Sequence, residues 1–469
     1  MLPVLYLAAY SAVLVVASLM TVLRPRSMLV FLWPIVLLHP HPVVREYLPF
    51  QRMGLQNWYL LLCLVIILAD PRRVRQGLAT SMPVVRRTLL LLLVVGLAHL
   101  HAVFVLWLRY PWLPDVGWDK VLEQLMSDLL YAVPFLGGLA YVRDRSDRVV
   151  AIRAFALSLF AAFALVIGDR LSPIVFDLFN HTGYVSTWKM HAERAVGGFG
   201  GPWEVGGIGA LGIVFATVAA LGQSVLGRVT AIVLLVVTTA GVVFAVSRAG
   251  YVGMALAILG VLLVTRGGAK WRALALLAAA AVVLLFLQVQ APSGEMTDIT
   301  SMVEQGIDRA YDEGELRGSA AVRARIWRDH VEYLRSGNLE WSQILAGLGG
   351  LEGVGVTLQS TGHNGYLAPY LYYGLPWALL MHLALLGAVL ASLQGRVWST
   401  HPEIFVMWAT VLGGMVTSEF LISNLTASVL AFLVVVTAAA IPGNGVRAPP
   451  VAGPPVAAPP RLPPAPRHT

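Results

Sequence analysis

Residues 88–108 read TLLLLLVVGLAHLHAVFVLWL and contain no charged side chain. As an α-helix, a run of this length spans about 30 Å, which is the thickness of the hydrocarbon core of a bilayer. Uncharged runs also fill residues 2–23, 229–247 and 273–289. These stretches predict a chain that crosses a membrane several times.

The composition of the whole chain supports this prediction. Of the 469 residues, 58% are hydrophobic and 12% are charged, and the mean hydropathy is +0.74. A soluble domain carries roughly 25% charged residues, about twice this share. The balance excludes a soluble enzyme, a disordered protein and a collagen-like chain.

The charged residues comprise 33 basic and 25 acidic side chains, which give a net charge of +8. In a membrane protein, basic cytoplasmic loops are the first explanation for such a surplus. No basic run with interleaved aromatic residues occurs, so no nucleic-acid partner is expected. Cys63 is the only cysteine, which excludes internal disulfides and a thiolate-rich metal site.

The apolar stretches give about thirteen candidate spans. They lie near residues 2–23, 27–40, 55–70, 88–108, 121–142, 149–168, 205–222, 229–246, 250–265, 273–289, 364–392, 404–422 and 424–441. The pattern predicts an all-α, polytopic transmembrane helical bundle of about 12–13 spans with one long external loop that contains short helices.

The chain is therefore expected to have four parts. Residues 1–289 hold transmembrane helices and an external loop at 169–203, and residues 290–363 form the large external loop. Residues 364–441 hold the last transmembrane helices. Residues 442–469 are rich in proline, alanine and glycine and predict a disordered cytoplasmic tail, because such a chain buries too little apolar surface to fold.

The arginines predict the orientation of the bundle. One set of short connections carries most of them, and the other set holds the two long polar stretches, 169–203 and 290–363. Short basic loops remain in the cytoplasm, so both long stretches are expected outside. This places the N-terminus outside and the C-terminus inside.

One helix is expected within the large external loop. Ser319 suits its N-cap, Arg335 its last turn and Gly337 the position after its end. On a helical projection, Arg323 and His330 fall in the middle of its apolar face, whereas Arg325 falls outside that face. A buried guanidinium needs an anionic partner, which is either a loop carboxylate or a ligand.

Three further ionisable residues lie close to the predicted outer boundary of the membrane: Arg194, Arg248 and His363. Ionisable groups at such depths are costly, so each is a candidate functional residue. Other interpretations remain open for two of them. Arg248 could extend its guanidinium to the membrane interface, and His363 could hydrogen-bond to backbone at a helix start.

Together, these residues favour a binding site for a multiply charged anion. Arginine binds phosphate through two parallel hydrogen bonds and stays charged, and a histidine beside it suits general-base chemistry near neutral pH. The anion expected at a membrane surface, attached to an apolar tail, is a polyprenyl diphosphate. Glycines 198, 200, 201, 206 and 207 would allow a backbone or a lipid phosphate to approach closely.

Residues 190–395 resemble the superfamily of O-antigen ligases and O-antigen polymerases. The segments that carry the resemblance are Arg194-Ala-Val-Gly followed by Gly201-Pro-Trp, Ser247-Arg-Ala-Gly, Arg323-Ala-Arg-Ile-Trp, Gly347-Leu-Gly-Gly, His363-Asn-Gly-Tyr-Leu and Gly374-Leu-Pro-Trp. The His363-Asn pair at a helix start after a long external loop is the most specific of them. Where relatives often have Pro-Asn after the glycines, this chain has Pro202-Trp-Glu204.

This resemblance implies a metal-independent membrane glycosyltransferase with a fold related to the GT-C class and no cofactor. Such enzymes transfer a glycan from undecaprenyl diphosphate to an acceptor on the periplasmic face of the bacterial inner membrane. It further implies that Arg194, Arg248 and Arg323 bind the diphosphate and that His363 is the catalytic base.

Three other residues are possible accessories to this site: Glu204, Asn364 and Arg325. Glu204 could act as an additional base or as a carboxylate that caps its own span. The acceptor could be lipid A–core, as in a ligase, or a lipid-linked glycan, as in a polymerase of O-antigen or exopolysaccharide. A transporter or flippase for a lipid-linked glycan, which binds without chemistry, is the alternative class.

Overall fold

In the computed structural model, the described residues are 2–39, 54–112, 132–180, 195–222, 225–245, 247–285, 318–336, 340–350, 364–416 and 424–438, with short pieces at 288–290, 296–298, 311–312, 315–316, 354 and 357–358. In the first half of the chain the helices are α1 (Leu2–Leu23), α2 (Met28–Leu37), α3 (Leu55–Ala69), α4 (Pro71–Thr80), α5 (Pro83–Arg109), α6 (Ala132–Tyr141), α7 (Arg145–Leu171), α8 (Pro173–Asn180), α9 (Pro202–Leu221) and α10 (Arg228–Phe244).

The second half of the chain is also mainly helical. Its helices are α11 (Arg248–Val264), α12 (Gly268–Leu285), α13 (Gly318–Arg335), α14 (Trp341–Ala346), α15 (Ala368–Tyr373), α16 (Leu375–Ser392), α17 (Gly395–Thr400), α18 (Pro402–Met415) and α19 (Asn424–Ala438). Two short antiparallel ladders, which the sequence did not predict, precede α13: β1 (Gln288–Gln290) with β2 (Met296–Asp298), and β3 (Tyr311–Asp312) with β4 (Glu315–Leu316).

Several helices are long and apolar enough to cross a bilayer. Among the described residues, 5 helices meet this condition by length and composition, namely α1, α5, α7, α9 and α16. Seven more apolar helices are 10–17 residues long. The prediction of a helical membrane protein is confirmed at this level, and the number of 12–13 spans stays a prediction.

The outer surface of the bundle is apolar. Leu263 on α11 is 80% exposed, Leu157 on α7 is 69% exposed and Leu383 on α16 is 64% exposed. Isolated exposed leucines are normal, but a surface on which most helices expose leucine and valine matches lipid better than water. Inside, Trp33 of α2 packs edge-on against Phe155 of α7 and Phe432 of α19, at ring-centre distances of 5.1 and 4.9 Å.

The prediction of one continuous span over residues 364–392 is wrong, because this stretch forms two helices, α15 and α16. Gly374 separates α15 from α16 with a φ of 84°, a conformation that glycine adopts without strain. A side chain at Gly374 would also collide with the carbonyl oxygen of Leu345. The break therefore belongs to the contact between the α15–α16 corner and the segment that follows α14.

The helix predicted in the large loop is present as α13. It ends at Arg335, as predicted, but it begins at Gly318, so Ser319 lies in the first turn instead of capping it. Gly337 and residues 442–469, to which a helix end and a disordered tail were assigned, lie outside the described residues.

The contacts between helices define two ends of the bundle. At one end, which we call the basic end, the connections at 24–27, 70–82, 142–144 and 393–401 lie beside the start of α5. Arg26 pairs with Asp147 at 3.6 Å, and Arg143 donates hydrogen bonds to the backbone oxygens of Arg73 and Ala140. The Arg87 side chain lies near Gly387, which brings the end of α16 to the same place.

Candidate functional site

We call the opposite end of the bundle the site end, because residues that directly flank Arg194, Arg248 and His363 lie there. Arg194 and His363 themselves lie outside the described residues, whereas Arg248 and Arg323 are placed through the helices that contain them. The geometry of the site therefore rests on the residues that flank these four positions.

The segment that follows Arg194 is held between α7 and α10. Ala195 donates its backbone N–H to the carbonyl oxygen of Phe244, the last residue of α10, at 3.1 Å. The carboxylate of Asp169 in α7 accepts the N–H groups of Val196 and Gly197 at 2.9 and 3.1 Å. Ala195 therefore lies near the start of α11, because its partner Phe244 precedes Arg248 by four residues.

Glu204 in the first turn of α9 accepts a hydrogen bond from the backbone N–H of Gly200 at 2.9 Å. This contact is the one expected of a carboxylate that caps its own span, the second of the two roles considered for it. The helix dipole also stabilises a negative side chain near the N-terminus of a helix. The partly buried carboxylate closes the glycine-rich turn between Arg194 and α9.

Helices α9 and α11 approach each other closely at the site end. A Cβ at Gly206 would lie 2.6 Å from the Cα of Gly250 and 3.0 Å from the Ser247 hydroxyl oxygen, closer than real Cβ atoms approach. Gly206 thus allows the backbone of a neighbouring helix to approach, one of the two uses considered for the glycines here. Ser247 caps α11 by accepting the N–H of Gly250 at 3.3 Å, which positions Arg248 as the first residue of that helix.

The segment that follows His363 is anchored to the end of α18. Asn364 accepts the backbone N–H groups of Tyr366 and Leu367 at 2.9 and 3.0 Å and donates its side-chain amide to the carbonyl oxygen of Val416 at 3.4 Å. Gly365 donates its backbone N–H to the carbonyl oxygen of Met415 at 2.8 Å. Asn364 therefore holds a turn and connects it to a second helix.

This anchor lies at the same end as the start of α11, because α11 and α18 pack antiparallel. A Cβ at Gly260 would contact Val406, and one at Gly413 would collide with Leu256. The early residues of α18 therefore meet the late residues of α11, and the end of α18 adjoins the start of α11. Arg248 and the residue after His363 thus share the site end.

Helix α13 reaches the site end through its second half. His330 is fully buried, and Tyr333 packs against the main core. Burial raises the pKa of Tyr333, and Tyr110 and Arg109 at the end of α5 lie close enough to influence it. Arg323 precedes Tyr333 by ten residues, about 15 Å along the helix, and Arg325 is exposed to solvent.

Two residues at the end of α5 hold the segment after α14. His101 contacts the carbonyl oxygen of Ala346 through Nε2 at 3.0 Å, and Arg109 donates to that of Gly347 at 2.8 Å. Sequence analysis assigned neither residue to the site. Arg109 is the last residue of α5, where a cation suits the helix dipole, and this position is the signal that was available.

Asp169 is a second residue that the sequence analysis missed. It lies near the C-terminal end of α7, where the helix dipole disfavours a negative charge, so it indicates a specific partner outside the helix. The structure identifies this partner as the backbone that follows Arg194.

The electrostatic character of the site end suits an anion. The N-termini of α9 and α11 lie side by side there, and each is the positive end of its helix dipole. Arg109, Arg194 and Arg248 lie at or directly beside this end in the chain. Within the part of the chain that the structure describes, no three His, Cys, Asp or Glu side chains form a metal-binding group.

No protein-family model, curated protein or solved structure matches this chain.

Proposed function

We propose that this protein is a glycosyltransferase of the bacterial inner membrane that transfers a glycan from undecaprenyl diphosphate to an acceptor on the periplasmic face. The observation that carries the proposal is the meeting of three distant segments at one end of the bundle. Ala195, Ser247 and Asn364 directly follow or precede Arg194, Arg248 and His363, and all three are anchored at the site end.

In the proposed reaction, an acceptor hydroxyl attacks the anomeric carbon of the donor glycan. The bond from that carbon to the diphosphate oxygen breaks, and undecaprenyl diphosphate leaves with the electron pair. His363 takes the proton of the attacking hydroxyl. Arg194, Arg248 and Arg323 stabilise the charge that develops on the diphosphate, a role that preorganised cations perform well in a site shielded from water.

The acceptor is either lipid A–core, which would make the protein an O-antigen ligase, or a second lipid-linked glycan, which would make it a polymerase. The same three arginines would serve either reaction. Glycan analysis of a deletion strain separates the two. Loss of attachment to lipid A–core indicates a ligase, and loss of long polymers with attachment retained indicates a polymerase.

The reaction is tested with purified protein in liposomes that contain radiolabelled undecaprenyl-diphosphate oligosaccharide and an acceptor. We expect His363→Ala to reduce the transfer rate at least about a hundredfold, the lower end of the effect of a general base, and still to bind the lipid-linked donor. Arg194→Lys and Arg248→Lys should weaken donor use, because lysine lacks the planar fork of arginine.

Two control variants change residues that are not assigned to the proposed site. His401→Ala changes a histidine at the basic end, and Arg328→Lys changes an exposed arginine of α13. Both should transfer glycan at the wild-type rate. Full transfer by His363→Ala would remove the proposed base, and wild-type donor use by both lysine variants at Arg194 and Arg248 would remove the diphosphate site.

The same liposomes test the alternative of a flippase. A flippase moves the labelled donor across the bilayer and releases no undecaprenyl diphosphate. The broken helix at Gly374 gives that alternative no support, because the break lies at the site end, against Leu345 and Gly347, and α16 alone is long enough to cross the membrane.

A further inference from the structure

The basic end carries a cluster of arginines that the proposed reaction does not use. We call it the arginine cluster; its members are Arg24, Arg26, Arg72, Arg73, Arg75, Arg143, Arg145 and Arg148. They come from three separate connections, after α1, within α4 and around the start of α7. The hydrogen bond from Arg143 to the backbone oxygen of Arg73 in α4 and the pair between Arg26 and Asp147 bring these connections together.

The acidic residues of this region are already engaged. Asp70 pairs with Arg73 at 2.7 Å, and Asp147 accepts the backbone N–H of Arg143 at 3.0 Å in addition to its pair with Arg26. Asp144 caps α7 by accepting the N–H of Asp147 at 2.8 Å and the Ser146 hydroxyl at 2.6 Å. The carboxylates therefore do not balance the arginines.

Five arginines of the cluster are exposed. One of them, Arg26, pairs with Asp147, and the other four are Arg24, Arg72, Arg75 and Arg145. Within the described part of the chain, none of the four makes an ion pair or a hydrogen bond. Burial and the neighbouring Arg73 and Arg26 lower the pKa of Arg143. The cluster therefore carries positive charge that the neighbouring carboxylates do not neutralise.

Helix α4 places part of this charge beside the membrane. Its Val74 and Leu78 pack against the core, and Gly77 lies against the backbone of Leu139, where a side chain would not fit. Arg72 and Arg75 lie on the exposed side of the same helix. Helix α4 connects two apolar helices, α3 and α5, and a short amphipathic helix in such a position suits the level of the lipid headgroups.

Exposed apolar surface adjoins the arginines on the membrane side. At the end of α1, Val22 is 58% exposed and Leu23 is 75% exposed, directly before Arg24. At the end of α3, Val65 is 58% exposed and Leu68 is 61% exposed, directly before Asp70 and α4. A molecule with a phosphate headgroup and acyl chains would contact both the arginines and the adjoining apolar surface, whereas a soluble anion would contact only the arginines.

We propose that the arginine cluster is a binding site for the headgroup of an anionic phospholipid in the leaflet at the basic end. Guanidinium groups from three connections bind the phosphate, and the acyl chains lie on the exposed ends of α1 and α3. A lipid bound there joins α1, α4 and α7, so it stabilises the contacts between them. The site is separate from the proposed transfer reaction and does not depend on it.

The experiment uses the full chain in nanodiscs of phosphatidylcholine with and without phosphatidylglycerol, and no glycan donor. Native mass spectrometry counts retained phosphatidylglycerol, and thermal unfolding measures its effect on Tm. We expect the wild type to retain phosphatidylglycerol and to unfold at a higher temperature when it is present. Arg72→Gln/Arg75→Gln/Arg145→Gln should bind it at least about tenfold more weakly.

The matched control is Arg266→Gln/Lys270→Gln/Arg272→Gln, which removes the same charge from exposed residues around the start of α12. They follow the end of α11, which lies at the basic end because Gly260 packs against Val406 near the start of α18. It should retain phosphatidylglycerol like the wild type. Equal loss in both triple variants would show a general attraction of basic loops to anionic lipid and would overturn the site. Displacement of the lipid by inorganic phosphate would overturn it in favour of a soluble anion.

The substituted arginines are exposed, so the first triple variant should unfold at the wild-type temperature in phosphatidylcholine alone. If it does not fold, Arg145→Gln decides the matter by itself, because it changes one exposed side chain that follows the cap of α7. Wild-type retention of phosphatidylglycerol by a folded variant would refute the proposal.

Discussion

A carboxylate near the C-terminal end of an α-helix faces the negative end of the helix dipole, yet Asp169 lies in the last turns of α7 and is only 2% exposed. Its two hydrogen bonds to Val196 and Gly197 account for its position. They hold the turn that follows Arg194. We therefore interpret Asp169 as a positioning residue for the proposed diphosphate site.

We expect Asp169→Ala to destabilise the protein by about 1–3 kcal/mol, because two buried N–H groups lose their acceptor. If it positions Arg194, the variant should also raise KM for the lipid-linked donor more than it lowers kcat. Donor titration and thermal unfolding measure the two effects. Asp177→Ala, at an exposed position on α8, is the matched control and should behave like the wild type.

A lower Tm for Asp169→Ala with an unchanged KM would assign Asp169 to stability alone. The conservative variant Asp169→Asn retains one acceptor oxygen and loses the charge, so it should recover part of the stability. If Asp169→Asn were more stable than the wild type, the interpretation of Asp169 would be contradicted.

Asp144 at the start of α7 provides a prediction about pH. Hydrogen bonds from the Ser146 hydroxyl and the Asp147 N–H lower the pKa of its carboxyl group. Because the folded pKa is lower than the unfolded one, which is about 3.9, the stabilisation is fully present above the unfolded pKa. It is lost as the pH falls through the folded pKa.

We expect Asp144→Ala to lower Tm by a few degrees at neutral pH and the difference from the wild type to vanish in strong acid. Thermal unfolding over a pH series measures this difference. Ser146→Ala, which removes one of the two donors, should have a smaller effect of the same sign. A difference that persisted below the folded pKa would show that the cap does not act through its charge.

At the scale of helices, the contact between α9 and α11 depends on glycine. Gly206 and Gly250 lie against each other, so the two backbones pack more closely than any side chain would permit. This approach positions the start of α11, and therefore Arg248, beside the start of α9. Both helices point their N-termini toward the site end.

We expect Gly206→Ala to destabilise the bundle by about 1–3 kcal/mol through overpacking, although alanine favours helices more than glycine does. Gly96→Ala in α5 is the matched control, because nothing lies within 4 Å of a Cβ there. It should leave Tm unchanged or raise it. If Gly206→Ala were as stable as the control, the close contact of α9 and α11 would be contradicted.

At the scale of the whole molecule, we expect the two ends of the bundle to lie on the two sides of the membrane. The arginine-bearing connections meet at the basic end, and the flanks of Arg194, Arg248 and His363 meet at the other. The positive-inside rule predicts that the basic end faces the cytoplasm. The site end would then face the periplasm.

Labelling of single cysteines tests this orientation. The one native cysteine, Cys63, is buried and should not react. In spheroplasts, a membrane-impermeant maleimide should label Ser342→Cys, exposed on α14 at the site end, and should not label Ser399→Cys, exposed on α17 at the basic end. Permeabilised cells should show both labels, and the reverse pattern in spheroplasts would invert the predicted topology.

Some features of the fold could be predicted from particular residues. The uncharged run from Thr88 to Leu108 predicted a spanning helix, and α5 contains it. Arg335 predicted the end of α13. The break at Gly374 was not predicted, because a glycine within an apolar run does not reveal that a distant backbone, that of Leu345, lies against it.

The candidate site divides in the same way. Its polar residues stood out in the sequence because charge is costly in an apolar chain. The sequence predicted a possible capping role for Glu204, whose contact with Gly200 is local. It predicted no partner for Asn364, because the contact with Val416 joins two segments that are remote in the chain. Asp169 was missed because its partners lie 27 and 28 residues away in the chain.

The sequence by itself determined that this protein is helical and apolar enough for a membrane, because these properties depend on the composition of each segment and on local backbone hydrogen bonds. Only the tertiary structure decided which connections share an end of the bundle and which carboxylate holds which turn. Those contacts join residues far apart in the chain, and their energies depend on close packing that no single segment specifies.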